Sequence, residues 1–348
     1  MAYTTIDDPT KYFNTLLYTG DGSSSRSITG VGFAPDWIWV KERSSTSQHQ
    51  LVDRVRGSDR RLQSDSSDSE DIDTSPFVDF KSLDSDGWSM GNGGAINENS
   101  QTYVAWNWLA GGTASSNSDG SITSSVSANT TAGFSIATYT GTASGATVGH
   151  GLGTTPAWVL VKERGASGES WNNFHQSLGA GKTIMLNLTN AEQSSSTMWN
   201  NTAPTSSVFS VGVDAGSNGS SKTYVAYCFA EKKGYSKFGS YTGNGNADGT
   251  FAYTGFKPSF VIYKRTDTGA DWHMYDNKRD PINQVDLTIF TNSNSVEASG
   301  DALDFLSNGF KQRNTGAEAN ASGGTYIYMA FAESPFVTAG TKAAGTAR

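Results

Sequence analysis

Apolar runs along this chain are short, four or five positions each, and Gly, Ser, Thr, Asn and Asp crowd the stretches between them. No segment sustains a 3.6-residue apolar period, so the pattern predicts strands and turns rather than helices. The clearest run is Gly30-Val-Gly-Phe-Ala-Pro-Asp-Trp-Ile-Trp-Val-Lys-Glu-Arg43. It is written again as Gly151-Leu-Gly-Thr-Thr-Pro-Ala-Trp-Val-Leu-Val-Lys-Glu-Arg164, and a third time as Tyr253-Thr-Gly-Phe-Lys-Pro-Ser-Phe-Val-Ile-Tyr-Lys-Arg265. A proline ahead of a strand gives up an N–H that an interior ladder position would need. Beyond it both alternating sets are apolar, which predicts a strand buried on both faces.

The repetition holds at longer range. Pro35, Pro156 and Pro258 are each followed 68 residues later by Tyr103, Tyr224 and Tyr326, inside the runs Thr102–Trp108, Thr223–Phe229 and Thr325–Phe331. Upstream of each unit stands Tyr-Thr-Gly, at Tyr18, Tyr139 and Tyr241. Three anchors in one order and at one spacing predict three homologous units of ordinary domain size. The expected fold class is all-β, with three tandem homologous β-sandwich domains at 1–110, 132–232 and 233–334. Residues 111–131, rich in Gly and Ser and poor in apolar side chains, predict a flexible linker. Residues 335–348 predict a tail, either disordered or ordered on a neighbouring subunit. Units two and three meet across only Lys232-Lys-Gly-Tyr235, so they should be more rigidly related to each other than to unit one.

Composition narrows the function classes. The length allows three separate cores, and a net charge of −8 disfavours nucleic acid and anionic membrane as partners. Cys228 is the single cysteine, so no intrachain disulfide forms, and between Tyr227 and Phe229 it reads as a small core residue. The opening residues lack a basic and apolar leader, and no run approaches a membrane span; the expectation is a protein made in a cytoplasm and not inserted in a membrane.

Candidate chemistry is sparse. The charged stretch 59–73 has acids at short spacing, but the Gly and terminal Glu of a calcium loop are missing, so it reads as a solvated surface loop. Gly179-Ala-Gly-Lys-Thr183 has Gln176 where a phosphate loop needs Gly. His49, His150, His175 and His273 lack metal-ligand spacing, and His49 and His273 fall at nearly equivalent places of their units. No nucleophile elbow or singled-out acid–base pair is present, so no catalytic, cofactor-binding or metal-binding residue is expected, and no enzyme. Trp37, Trp39, Trp106, Trp108 and Trp158 read as core. Trp171, Trp199 and Trp272, the last beside His273, lie among Asn, Asp and Ser, where an exposed indole would stack on a sugar ring. The competing reading is that each covers the end of its own sandwich.

Several stretches carry a resemblance. Met1-Ala-Tyr-Thr-Thr-Ile-Asp-Asp-Pro9, the Tyr18 strand, Val31–Arg43, His49–Gly57, Leu83–Gly91, Thr102–Trp108 and the closing Gly345-Thr-Ala-Arg348 are similar to a repeated domain of tailed bacteriophage virion proteins, especially those of marine phages. Unit one matches over nearly its full length. Units two and three match at the anchors and lack the Asp-x-Val-Arg-Gly run. The resemblance implies a non-enzymatic structural protein on the virion exterior, either a capsid decoration protein or a tail-fibre component. Its partners would be other virion proteins, probed by multivalent contacts in a homo-oligomer, and it would reach the virion from the host cytoplasm. A receptor-binding tail protein recognising host-surface carbohydrate is the alternative.

Overall fold

A computed structural model of the protein describes residues 3–72 and 79–338. The fold is all-β, and the described helices are single turns. Within each third of the chain the proline-led strand is central, paired antiparallel to the strand that carries the late Tyr. Trp37 faces Trp108, Trp158 faces Phe229, and Phe260 faces Phe331, one register used three times. The early Tyr-Thr strands Phe13–Thr19, Phe134–Thr140 and Ser236–Thr242 flank the other side of the late strand. A hairpin partner, Gln50–Asp53, Asn172–His175 or Trp272–Asp276, extends each sheet beyond the central strand. Pro35 and Pro156 precede their strands, whereas Pro258 lies inside Phe256–Arg265 at a register shift, where a missing N–H costs the ladder nothing.

The two-sided burial expected of the central strands holds, and its cause is specific. Ile38 and Val40 enter a cluster made by the first third alone, with Trp88, Ile96 and Tyr103. Trp37 and Trp39 point the opposite way, into a second cluster built by all three thirds: Trp106 and Trp108, Trp158, Trp171, Tyr227 and Phe229, Phe260, Trp272 and Phe331 among others. The other two central strands divide the same way, Val159 and Val161 or Val261 and Tyr263 inward to a local core, Trp158 and Leu160 or Phe260 and Ile262 to the common one. Three separate cores are therefore replaced by three local cores surrounding one shared core. Aromatic rings dominate the shared core. Trp37 stacks on Tyr227 at 4.4 Å between centroids, and Phe13 on Phe331 at 5.0 Å.

Each third also pins one α-helical turn alike. Tyr103, Tyr224 and Tyr326 donate to the Gly94, Ala215 and Ala317 carbonyls and accept from the backbone N–H groups of Glu98, Gly219 and Ala321. The early tyrosines Tyr18, Tyr139 and Tyr241 stack on them and donate to the turn as well. Buried Asn97, Asn218 and Asn320 complete each node through backbone bonds to two loops.

Two expectations change here. The stretch 111–131 is not a flexible linker: Ser115–Asn117 and Ser124–Asn129 are strands that extend the second sheet beyond Phe134–Thr140. The first third is also not loosely tethered, since it contributes Trp37, Trp39, Trp106 and Trp108 to the shared core. Of the tail, residues 339–348 lie outside the described residues, and Pro335 closes the last strand.

Candidate functional site

The polar groups that the sequence offers for chemistry converge on the seams between the thirds. An apolar residue, Leu62, Ile184 or Ile289, is buried in the shared core, and a Glu follows eight positions later in each case, Glu70, Glu192 and Glu297. The segment between reaches onto a neighbouring third. Glu70 N–H donates to the Arg164 carbonyl, Glu192 N–H to the Thr266 carbonyl and Glu297 N–H to the Arg43 carbonyl. The contacts thus run first onto second, second onto third, and third back onto first, a closed cycle. Three more contacts join the same pairs of thirds. Trp171 Nε1 donates to the Gln63 carbonyl, Trp272 Nε1 to the Met185 carbonyl, and His49 Nε2 to the Phe290 carbonyl. The tautomer of His49 follows from its other nitrogen, Nδ1, which accepts from Trp39 Nε1 at 2.8 Å. At the start of each reaching segment, Asp65, Asn187 and Asn292 accept the backbone N–H of His49, Trp171 and Trp272 at 3.1, 3.0 and 2.8 Å.

Two seams also contain a buried ionic chain. At the first–second seam Arg164 holds Glu70 in a two-pronged pair at 2.8 and 2.9 Å. Glu70 accepts in turn from Arg56, whose Nε donates to Asp53, and Tyr227 of the second third donates to the same carboxylate at 2.7 Å. Burial opposes the charge on Glu70, but the bonds from Arg164 and the field of Arg56 outweigh it and hold the carboxyl down at about 2. At the third–first seam Arg43, Glu297, Arg279 and Asp276 repeat the arrangement, and Trp106 Nε1 takes the place of the tyrosine at 3.0 Å from Asp276. Among the described residues the second–third seam has no such chain: His175 and Leu178 stand where the Asp and Arg would be, and Gln176 Nε2 donates to the Phe238 carbonyl instead. So the stretch 59–73 is not a solvated loop over its described part. The third unit does keep the Asp–Arg pair, as Asp276 and Arg279, although its Asp-x-Val-Arg-Gly wording is lost. Residues 73–78 lie outside the described residues.

The expected glycan-stacking residues are covered. Trp171 and Trp272 sit in the shared core, Trp199 packs edge-on against Phe174 in the second local core, and His273 lies flat on Tyr263 with Nε2 3.2 Å from Glu318. None of the four is more than 1% exposed, so none offers a ring face to a sugar in solvent. Strand register also separates the two histidines. His273 aligns with Gln50 and Asn172, while His49 aligns with Trp171 and Trp272. Three buried lysines repeat as well: Lys41, Lys162 and Lys264 donate to the carbonyl of the next residue at 2.6, 2.7 and 2.5 Å, and burial brings each down to about 8.

Among the described residues no three His, Cys, Asp or Glu side chains gather as a metal site, and no helix is long and apolar enough to cross a membrane. A cleft of about 630 Å³ lies at the first–second junction, where Arg54 is bound to Asp36 at 2.6 Å. The signals that could have revealed the seams were present in the sequence: Asp and Arg three apart at 53–56 and 276–279, and Glu eight beyond a buried apolar residue. Among curated proteins no match to this chain is found. A family model, by contrast, matches residues 8–335, taking in all three thirds and the seams between them, and the chain belongs to that family, described as a domain of unknown function, DUF7483.

Proposed function

We propose that the chain is three homologous β-sandwich domains fused into one body with approximate threefold order, and that this body is a non-enzymatic structural component of a bacteriophage virion exterior. The supporting observation is the closed cycle of contacts around a shared aromatic core. The buried acids, arginines and indoles are taken up in joining the thirds, so they are not poised toward a substrate. A rigid body of this kind acts through its outer surface, and weak contacts to neighbouring virion proteins gain strength from copy number. Capsid decoration and a tail-fibre segment both use such a block, and approximate threefold order suits a position on or beside a threefold partner. The protein reaches the particle by assembly in the host cytoplasm.

Immunogold labelling of intact particles with an antibody to this chain tests the reading. Gold on the head surface or along the tail is the expected result. Particles that remain unlabelled, while the purified chain binds the same antibody, would overturn it.

A further inference from the structure

The strand Phe251–Tyr253 ends the order of the third sheet, paired on one side only, to Gly309–Gln312. Ala252 turns inward at 5% exposure, while Phe251 and Tyr253 stand outward at 41% and 55%. The fold does not require aromatics there. Ile28, Val148 and Ala252 hold the same inward place against Trp88, Phe209 and Phe310, and the residues flanking that place in the other two thirds are Ser27 and Thr29, or Thr147 and the buried Gly149. Repeat symmetry thus singles out one outer strand that carries two rings where its equivalents carry none.

Both rings are held before anything binds. A Cβ on Gly309 would come within 2.8 Å of Cε2 and Cζ of Phe251, so that ring rests on bare backbone while the residue stays 41% exposed. Only glycine permits so close an approach. The Tyr253 hydroxyl lies beside Gly255, whose carbonyl accepts from Tyr3 at 2.5 Å. At the rim, Lys311, cross-strand from Phe251, and Arg313 both pair with Asp248, and Arg313 also pairs with Asp304, so the two cations and two carboxylates balance. Fixed aromatic faces lose little conformational freedom on binding. A charge-balanced polar rim complements a neutral, hydroxyl-rich ligand better than a polyanion.

We propose that Phe251 and Tyr253 form a binding platform for a neutral glycan, sugar C–H faces lying on the two rings and hydroxyls meeting the polar rim. This goes beyond the structural reading and is independent of it, since particle labelling reports position and not sugar binding. The test is affinity electrophoresis of the full chain through gels containing dextran, yeast mannan or galactan, with alginate as the anionic comparison. At least one neutral polymer is expected to retard the chain, F251A/Y253A to weaken that retardation at least tenfold, and F251W/Y253W to restore it. Both positions are exposed, so the thermal midpoint of each variant should match the parent. Retardation by none of the neutral polymers, by alginate alone, or equally in F251A/Y253A would overturn the proposal.

Discussion

Asp65 is the position where the molecule supplies its own control. Its counterparts in the other two thirds are Asn187 and Asn292, and all three accept one backbone N–H from the equivalent residue. An amide oxygen can do this work without a charge. Burial instead pushes the Asp65 carboxyl up, from the ordinary 3.8 to about 6, and the backbone N–H bonds it accepts, with the nearby Lys41, only partly offset that. Between these values the folded chain binds the proton more tightly than the unfolded chain does, so folding stability falls as pH rises through that window. The penalty is absent below about pH 3.8 and complete above about pH 6. A shift of about two units corresponds to about 3 kcal/mol at about 1.4 kcal/mol per unit. D65N should therefore be about 1–3 kcal/mol more stable than the parent at pH 7, with the gain fading toward pH 4. Urea titrations followed by tryptophan fluorescence from pH 4 to 8 would read this directly. A variant less stable at pH 7, or an offset that does not change with pH, would refute the reasoning, because either result would mean that the Asp65 charge is useful where it sits.

Other perturbations follow from the same seams. E70A leaves the buried Arg56 and the half-buried Arg164 without their shared carboxylate and should cost about 3–5 kcal/mol, seen as a lower urea midpoint; a change within 0.5 kcal/mol would argue that the ionic chain is ornamental. Replacing Lys162 by Met keeps the stem and removes a buried ammonium, so the variant should gain about 1–2 kcal/mol at pH 7, and less at pH 10, where the parent lysine is already neutral in the fold. The Cys228 thiol is fully buried and burial raises it, so it should resist a disulfide-exchange reagent in the native chain and react in step with global unfolding. Rapid labelling of the native protein would show that the late strand of the second third opens locally.

Strand content, a strand register used three times and two-sided burial of the central strands were legible because they rest on local alternation and spacing. What the alternation could not say was which face met which core. Trp37 and Ile38 are both apolar, and only the assembled sheets send one to the shared core and the other to a local one. The polar neighbours of Trp171 and Trp272 misled for a related reason. In a strand covered on both faces, a polar residue beside a tryptophan is no sign of solvent. Asn173 is fully buried, accepting from Trp158 Nε1 at 2.7 Å and donating to the Ile184 carbonyl. Charge density was an equally poor guide at 59–73. Glu70 looks solvated until Arg164, 94 residues away, is brought against it.

The unequal seams have a consequence for how the ring closes. Where the peptide link is shortest, at Lys232–Tyr235, the second and third units find each other at high effective concentration and need no discriminating contact. Arg43 and Glu297 are 254 residues apart, so the third unit of another molecule can compete for the same surface. A buried charge chain penalises imperfect docking far more than an apolar face does, because any misfit strands an ion out of water. The ionic chains thus sit where closure within one chain competes with exchange between chains, and they favour a correctly seated cycle of contacts over open, swapped strings of molecules.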